Sequence, residues 1–198
     1  EFVSPNGRCV RFVLLVSPSV VRGVLDKCET EVPDLVILPE SLRFDPKHAQ
    51  IDSSVAETVA TEYHGSVLVA RDLEESHGHL LCVWNNPQSL HAARRDAEIA
   101  GLCGCTVHLF SVARDESERA EAQTAIENAE QTIETVGVRV SSKAVDIGDP
   151  VEKIVQEGLR YSVIVMSSRS TAGLRRFFTS GVSFQVLRAA KNSVMIAR

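Results

Sequence analysis

The sequence predicts an α/β fold in which helices cover both faces of a parallel sheet. From Leu80 onward, short apolar runs alternate with amphipathic stretches, which gives five strands separated by four helices. Strict alternation of strand and helix is typical of parallel sheets, whose crossover helices pack on both faces. Ligands of such folds bind beyond the carboxyl ends of the strands. We therefore expect a site after Trp84 and after Met166, where two predicted strands end.

Each element of this part follows from a local pattern. The apolar runs at 80–84, 106–112, 138–145, 162–166 and 193–197 predict the strands. An N-cap and a first-turn proline, Asn86-Pro87, begin the first helix, and Asp149-Pro150 begins the third. The second helix has apolar residues every three or four positions, and a final helix covers about 181–190.

The first 71 residues repeat the second half of this pattern. Ser53–Arg71 aligns without a gap with Ser180–Arg198, with seven identities in nineteen positions. Asp34–Leu38 likewise aligns with the strand at 162–166. This internal repeat predicts a βαβαβ unit whose first strand is Arg11–Val16. We divide the chain into a partial unit at 1–71, a linker at 72–78 and a complete domain at 79–198.

Composition excludes several classes of protein. The formal net charge of -5 argues against a nucleic-acid partner, because phosphate binding needs a concentrated basic face. No apolar run approaches the roughly 20 residues that cross a bilayer, so this segment is not expected to insert into a membrane. The odd number of cysteines predicts reduced thiols in a reducing compartment. We interpret Cys103-Gly104-Cys105 as core or turn residues in preference to a zinc site, since no histidine pair stands beside them.

Four short segments resemble the universal stress protein family, in tandem form. They are Asn86–Ala93, Gly148–Ile154, Gly173–Arg176 and Val194–Arg198. The resemblance implies a five-stranded parallel sheet in the order 3-2-1-4-5, preceded here by the partial βαβαβ repeat. It also implies dimers, formed through the fifth strand or between the two units.

The resemblance further implies a nucleotide loop, which is degenerate in this chain. Family members that bind ATP or AMP have an Asp after the first strand, which falls on Trp84 here. Their loop glycines and the final Ser or Thr fall on three serines and Gly181. The residues carried over are Trp84, Asn85, Asn86, Met166, Ser167, Ser168, Arg169, Ser170, Ser180, Gly181 and Val182.

These replacements argue against ATP binding in the family's usual way. A Cβ at a position that needs glycine costs roughly 1 kcal/mol. The indole of Trp84 either fills the pocket or stacks on a base. Serine hydroxyls and Arg169, Arg175 and Arg176 offer bonds to an anion, so weak ATP, AMP or anion binding is the alternative. We expect no resident cofactor and no metal.

No catalytic arrangement is recognisable, and we do not expect an enzyme. The histidines are scattered, and their one close pair, His77 and His79, flanks the end of the linker. The counterpart of the nucleotide loop in the partial unit, Pro39-Glu40-Ser41, has no glycine, and its carboxylate would repel phosphate. We interpret it as a connecting loop.

The partial unit suggests a piece of a larger protein, and Glu1-Phe2 is interpreted as a cloning remnant. The segments at 16–25 and 33–38 are similar to degenerate stress-protein modules on the cytosolic C-termini of amino-acid permeases, cation/proton antiporters and cation-chloride-type carriers. We therefore expect a regulatory and oligomerising domain at the cytosolic face of the cell membrane. Its partners would be a second copy and the membrane-embedded part of the same polypeptide. The alternatives are a soluble ATP- or AMP-dependent switch and, third, a hydrolase of that nucleotide.

Overall fold

The structure, a computed structural model, describes residues 2–3, 9–10, 13–40, 42–45, 49–51, 53–71, 78–168 and 181–198. Its helices are α1 (Val20–Glu31), α2 (Ser53–Glu62), α3 (Pro87–Cys103), α4 (Arg119–Glu134), α5 (Pro150–Gly158) and α6 (Val182–Ala189). Its strands are β1 (Phe2–Val3), β2 (Cys9–Val10), β3 (Leu35–Pro39), β4 (Leu42–Asp45), β5 (Ala49–Ile51), β6 (Ser66–Ala70), β7 (His79–Cys82), β8 (Val107–Ala113), β9 (Val140–Ile147), β10 (Val163–Ser167) and β11 (Ser193–Ala197).

Seven strands form one sheet in the order β3-β6-β11-β10-β7-β8-β9. Neighbouring strands are parallel except β6 and β11, which run antiparallel. The α/β fold and the mostly parallel sheet are therefore as predicted. The prediction of a five-stranded sheet with a separate partial repeat is wrong, because β6 pairs with β11 and extends the sheet by two strands.

The helix starts that were predicted from capping residues are confirmed. Asn86 Oδ1 accepts a hydrogen bond from the Ser89 N–H at 2.9 Å, and Asp149 Oδ1 accepts one from the Glu152 N–H at 2.9 Å. Each bond satisfies a backbone donor that a helix start leaves without a partner, and such caps contribute about 1 kcal/mol. Asn86 and Asp149 come shortly after β7 and β9, so the two caps fix where the loops between these strands and the following helices end.

Of the predicted first strand, Arg11–Val16, the described residues 13–16 do not form a strand. Residues 11 and 12 lie outside the described part, and residues 13–17 have no regular secondary structure. The side chains of Leu14 and Val16 are 93% and 98% exposed. The short pairing in this region is instead antiparallel, between β1 and β2. An apolar run forms a strand only when its backbone N–H and C=O groups pair with those of another strand. The sequence of the run does not show whether such a partner strand is present.

The apolar core lies on the two faces of the sheet. One cluster, on the side of α4 and α3, includes Leu81, Leu109 and Ile133. The other, which we call the shared cluster, includes Val59 and Val67 from the first part of the chain together with Ile154 and Ile196 from the second. Since one cluster contains side chains from both parts, the two parts do not have separate cores.

Two arginines reach in opposite directions across the antiparallel pair β6 and β11, which we call the seam. Arg71, after β6, donates to Glu40 Oε1 at 2.8 Å and to the backbone oxygens of Asn192 and Leu187. Arg198, after β11, donates to Ser168 Oγ at 2.7 Å and to the backbone oxygens of Ala60, Tyr63 and Gly65. Each arginine thus binds carbonyl groups of the other part of the chain, and the aligned residues Arg71 and Arg198 make reciprocal contacts.

The cysteines differ from one another in state. Cys28 and Cys82 are buried thiols, and burial raises the pKa of both, so they are protonated at neutral pH. The prediction of reduced thiols is wrong for Cys103 and Cys105, which form a disulfide at the end of α3. Their placement in a turn is as predicted, because Gly104 between them adopts a φ of 70°. Two cysteines separated by such a residue project to the same side.

Replacing Val32 with asparagine should stabilise the protein. Val32 ends α1 with a φ of 46°, and its side chain is 75% exposed. A β-branched side chain is costly in this left-handed region, whereas asparagine tolerates it. Thermal or urea unfolding of Val32→Asn is expected to give a gain of about 1 kcal/mol. Val16→Asn, at an exposed valine outside any helix, is the control and should leave stability unchanged.

Within the described ranges, no helix combines the length and the apolar character that crossing a bilayer requires.

Candidate functional site

A cavity of about 630 Å³ lies at the carboxyl ends of β7, β8 and β10. Its volume is within the range of small-molecule sites, roughly 300–1,000 Å³. The described lining comprises Trp84, Asn85, Asn86, Ser111, Val112, Ala113, Arg114, Glu118, Glu121, Ala122, Pro150, Ser167, Gly181, Val182, Ser183 and Phe184. The predicted location, at the strand ends, is therefore where a cavity is found.

The turn after β7 is held by a small network of hydrogen bonds. The Trp84 N–H donates to Ser89 Oγ at 3.0 Å, and the Ser89 N–H donates to Asn86 Oδ1. The hydroxyl oxygen of Ser111 lies 2.8 Å from the Val83 carbonyl oxygen, to which it donates. Because Asn86 caps α3, its amide oxygen is already engaged. The half-buried indole of Trp84 packs against the shared cluster and borders the cavity.

The residues at the end of β10 have separate roles. Met166 is completely buried in the shared cluster and does not line the cavity. Ser167 lines it, with its Oγ 3.5 Å from Ser89 Oγ. Ser168 is buried and accepts the hydrogen bond from Arg198, so its hydroxyl oxygen faces the seam. Of these three predicted site residues, only Ser167 contributes to the cavity.

The start of α6 forms another side of the cavity. Gly181 is the N-cap and makes no side-chain capping bond, since it has no side chain. Gly181 and Val182, two of the residues carried over from the family loop, both line the cavity. Backbone N–H groups at a helix start attract anions. Arg169, Ser170 and Ser180, with Arg175 and Arg176, lie outside the described residues.

Charged residues that sequence reasoning missed line the side formed by β8 and α4. Arg114 follows β8, and its backbone N–H donates to Glu118 Oε2 at 2.9 Å. Glu118 and Glu121 both border the cavity, so its described lining carries two carboxylates and one guanidinium. The rule that residues after each parallel strand gather at one edge could have found Arg114, which directly follows β8. This lining favours a neutral or cationic group over a polyphosphate.

In the first part of the chain, Glu40 belongs to the counterpart of the nucleotide loop, and its side chain makes a structural contact. Glu40 forms an ion pair with Arg71, whose side chain is only 7% exposed, and the Glu40 N–H donates to the Ala70 carbonyl. Glu40 therefore joins the end of β3 to the seam. Ser41 lies outside the described residues.

The mostly parallel sheet, its helices on both faces and the cavity at the strand ends define a doubly wound α/β protein with a cleft where ligands of this class bind. The universal stress protein family model matches residues 78–198, which is more than half of the chain. The chain therefore belongs to the universal stress protein family.

Solved structures agree with this fold. A universal stress protein from Pseudomonas aeruginosa is 17% identical, with a TM-score of 0.69 over 91% of this chain and 69% of that chain. One from Archaeoglobus fulgidus is 17% identical, with a TM-score of 0.64 over 90% of this chain and 64% of that chain. The chain thus spans about two thirds of the length of each. A universal stress protein in complex with cAMP is 17% identical, with a TM-score of 0.51 over 63% of this chain and 98% of that chain. No curated protein sequence matches the chain.

Proposed function

We propose that this chain is a non-catalytic regulatory and oligomerisation module of the universal stress protein type, in tandem form. We place it at the cytosolic C-terminus of a membrane transporter, on the strength of the segments at 16–25 and 33–38. In this function the module acts through contacts between its surfaces and the rest of the transporter. Its cavity does not bind ATP in the manner of the nucleotide-binding members.

The lining of the cavity is the observation that carries this proposal. Trp84 stands where binding members have a carboxylate, and its indole packs onto the shared cluster. Glu118 and Glu121 line the same cavity, together with a single described arginine, Arg114. A triphosphate brought into this space would meet two negative charges, and each like-charge contact lowers affinity. The cleft is therefore present as a shape, but the charge of its described lining does not favour a nucleotide.

The second candidate is an ATP- or AMP-dependent switch. It is favoured by the volume of the cavity and by the uncapped start of α6. It is also favoured by Trp84, since an indole that borders a cavity can stack on a base. A universal stress protein solved in complex with cAMP shares the fold over 63% of this chain.

Trp84 provides the test of these two functions, because it is the only tryptophan of the chain. We expect ATP, AMP and cAMP to leave its fluorescence emission unchanged and to produce no binding heat in titration calorimetry. Micromolar binding that is lost in Trp84→Ala and retained in Trp84→Phe would overturn the regulatory-module proposal in favour of the switch. Binding that appears only in the double variant Glu118→Gln/Glu121→Gln would instead show that the negative charge of the lining causes the weak affinity of the wild-type protein.

The transporter assignment has its own test. The reading frame upstream of residue 1 in the source genome should encode membrane-spanning helices on the same polypeptide. A reading frame that encodes no such helices would contradict the transporter assignment. The proposal would then be reduced to an interaction module.

A further inference from the structure

Three side chains that bind metals meet at the opposite end of the sheet from the cavity. They are His79, the first residue of β7, Cys103, the last residue of α3, and Cys105. Their ligand atoms all lie within 4.8 Å of one another. Ligands of one tetrahedral zinc ion, with bonds of about 2.0–2.3 Å, lie roughly 3.3–3.8 Å apart. Small side-chain adjustments therefore bring all three within reach of a single ion.

The backbone fixes these residues relative to one another. Gly104 ends α3 in the left-handed conformation, and the Cys105 N–H donates to the Ala100 carbonyl at 3.0 Å. The His79 N–H donates to the Thr106 carbonyl at 2.8 Å, one residue after Cys105. The turn that presents the two sulfurs is thus hydrogen-bonded directly to the strand that presents the imidazole. A histidine distant in sequence is thereby brought beside the Cys-Gly-Cys turn.

The imidazole of His79 is oriented by a buried carboxylate. His79 Nδ1 lies 2.7 Å from Asp96 Oδ1, and Asp96 is completely buried. When Asp96 is ionised and His79 is neutral, Nδ1–H donates to the carboxylate and the lone pair lies on Nε2. A histidine ligand that donates its other N–H to a carboxylate is the usual arrangement in zinc sites, where it fixes the ring and its tautomer. His79 is buried, whereas Cys103 is exposed and Cys105 is half-buried, so an ion can enter from solvent.

We propose that His79, Cys103 and Cys105 form a binding site for a zinc-type divalent ion in the reduced protein. Among the common divalent ions, zinc is well suited to a site of two thiolates and one imidazole. Three protein ligands leave a fourth position for water or for a group from a binding partner. This site lies at the other end of the sheet from the nucleotide-type cavity and does not depend on the proposed function.

The disulfide and the bound ion exclude each other. A dithiol reductant supplies two electrons and two protons to the Cys103–Cys105 disulfide and is itself oxidised to a disulfide. The two thiols then lose their protons to solvent as their sulfurs bind the ion. Metal occupancy therefore depends on the redox state of this pair.

Cobalt titration of the full chain tests the site, because cobalt replaces zinc and is visible by its absorption. After reduction with a phosphine, which does not compete as a thiol ligand, we expect one equivalent of cobalt. It should give a thiolate-to-metal charge-transfer band and tetrahedral d–d bands, and added zinc should abolish both. Cys103→Ser and Cys105→Ser should each remove the charge-transfer intensity of one thiolate. Asp96→Asn should weaken binding by about 10–100-fold while the bands keep their shape.

Cys28→Ala is the matched control, because it removes a buried thiol in α1 and should leave the titration unchanged. The oxidised protein is the second control and should give no charge-transfer band. A reduced protein without the band overturns the proposal, and so does a band that survives in the double variant Cys103→Ser/Cys105→Ser. Equal cobalt binding before and after reduction would also overturn it, since the ligands would then lie elsewhere.

Discussion

Arg71→Met should lower the free energy of unfolding by about 3 kcal/mol, because the hydrogen-bond acceptors of this buried guanidinium would lose their donor. The Arg71 side chain is 7% exposed, and it donates to one carboxylate and to two backbone carbonyl groups across the seam. Methionine fills most of the space but donates no hydrogen bond. The carbonyl groups of Asn192 and Leu187 would lose this donor, and buried acceptors without partners cost about 1–3 kcal/mol each.

Arg188→Met is the matched control for this prediction. Arg188 also joins the two parts of the chain, with its Nε 2.9 Å from Glu57 Oε2, but its side chain is 48% exposed. Exposed ion pairs contribute about 0–1 kcal/mol, so this variant should be close to wild type in chemical denaturation. Arg71→Lys should fall between them, because lysine keeps the charge but not the planar fork. Equal and small losses for Arg71→Met and Arg188→Met would show that the seam is not held by Arg71.

Ile196→Ala should cost about 4 kcal/mol and should destabilise both parts of the chain together. Ile196 is completely buried in β11, where it pairs with Val67 of β6 and Met166 of β10. Removing its side chain leaves a cavity in the shared cluster, and the cost is the lost burial plus the energy of that cavity. Because this cluster contains residues of both parts, we expect a single unfolding transition that moves as a whole.

Calorimetry and denaturant titration followed by circular dichroism provide the measurement for Ile196→Ala. Ile196→Val, which removes one methyl group, should cost about 1 kcal/mol, and Leu102→Ala, at an 83% exposed side chain, should cost almost nothing. Two separate transitions, of which the substitution moves only one, would contradict the interpretation that the parts share a core.

Much of the fold could be predicted because its signals are local. The cap residues Asn86 and Asp149 and the apolar runs before them specify where helices begin and strands end, and the structure has those boundaries within a few residues. The run at 11–16 has an equally apolar pattern but forms no strand over 13–16. The difference is the partner strand, which no pattern inside the run reveals.

The candidate site was predictable in position but not in composition. Trp84 and Ser167 were named because they stand at the ends of strands that local patterns identify, and Gly181 and Val182 because they begin the helix after the family loop. Glu118 and Glu121 border the cavity only because β8 pairs with β7, which is a contact between distant segments. The cluster of His79 with Cys103 and Cys105 was missed for the same reason. In each case the sequence supplies the residues, and the pairing of strands determines which of them meet.

The seam also limits how two copies of this chain can associate. β11 has β10 on one side and β6 on the other, so both of its hydrogen-bonding edges are already used. A second copy that paired through Ser193–Ala197 would first have to displace β6 and break the contacts of Arg71 and Arg198. Such a dimer would form by exchange of segments, at a rate limited by local opening and independent of protein concentration. Rapid association would instead involve β3 or β9, the outer strands of the seven-stranded sheet.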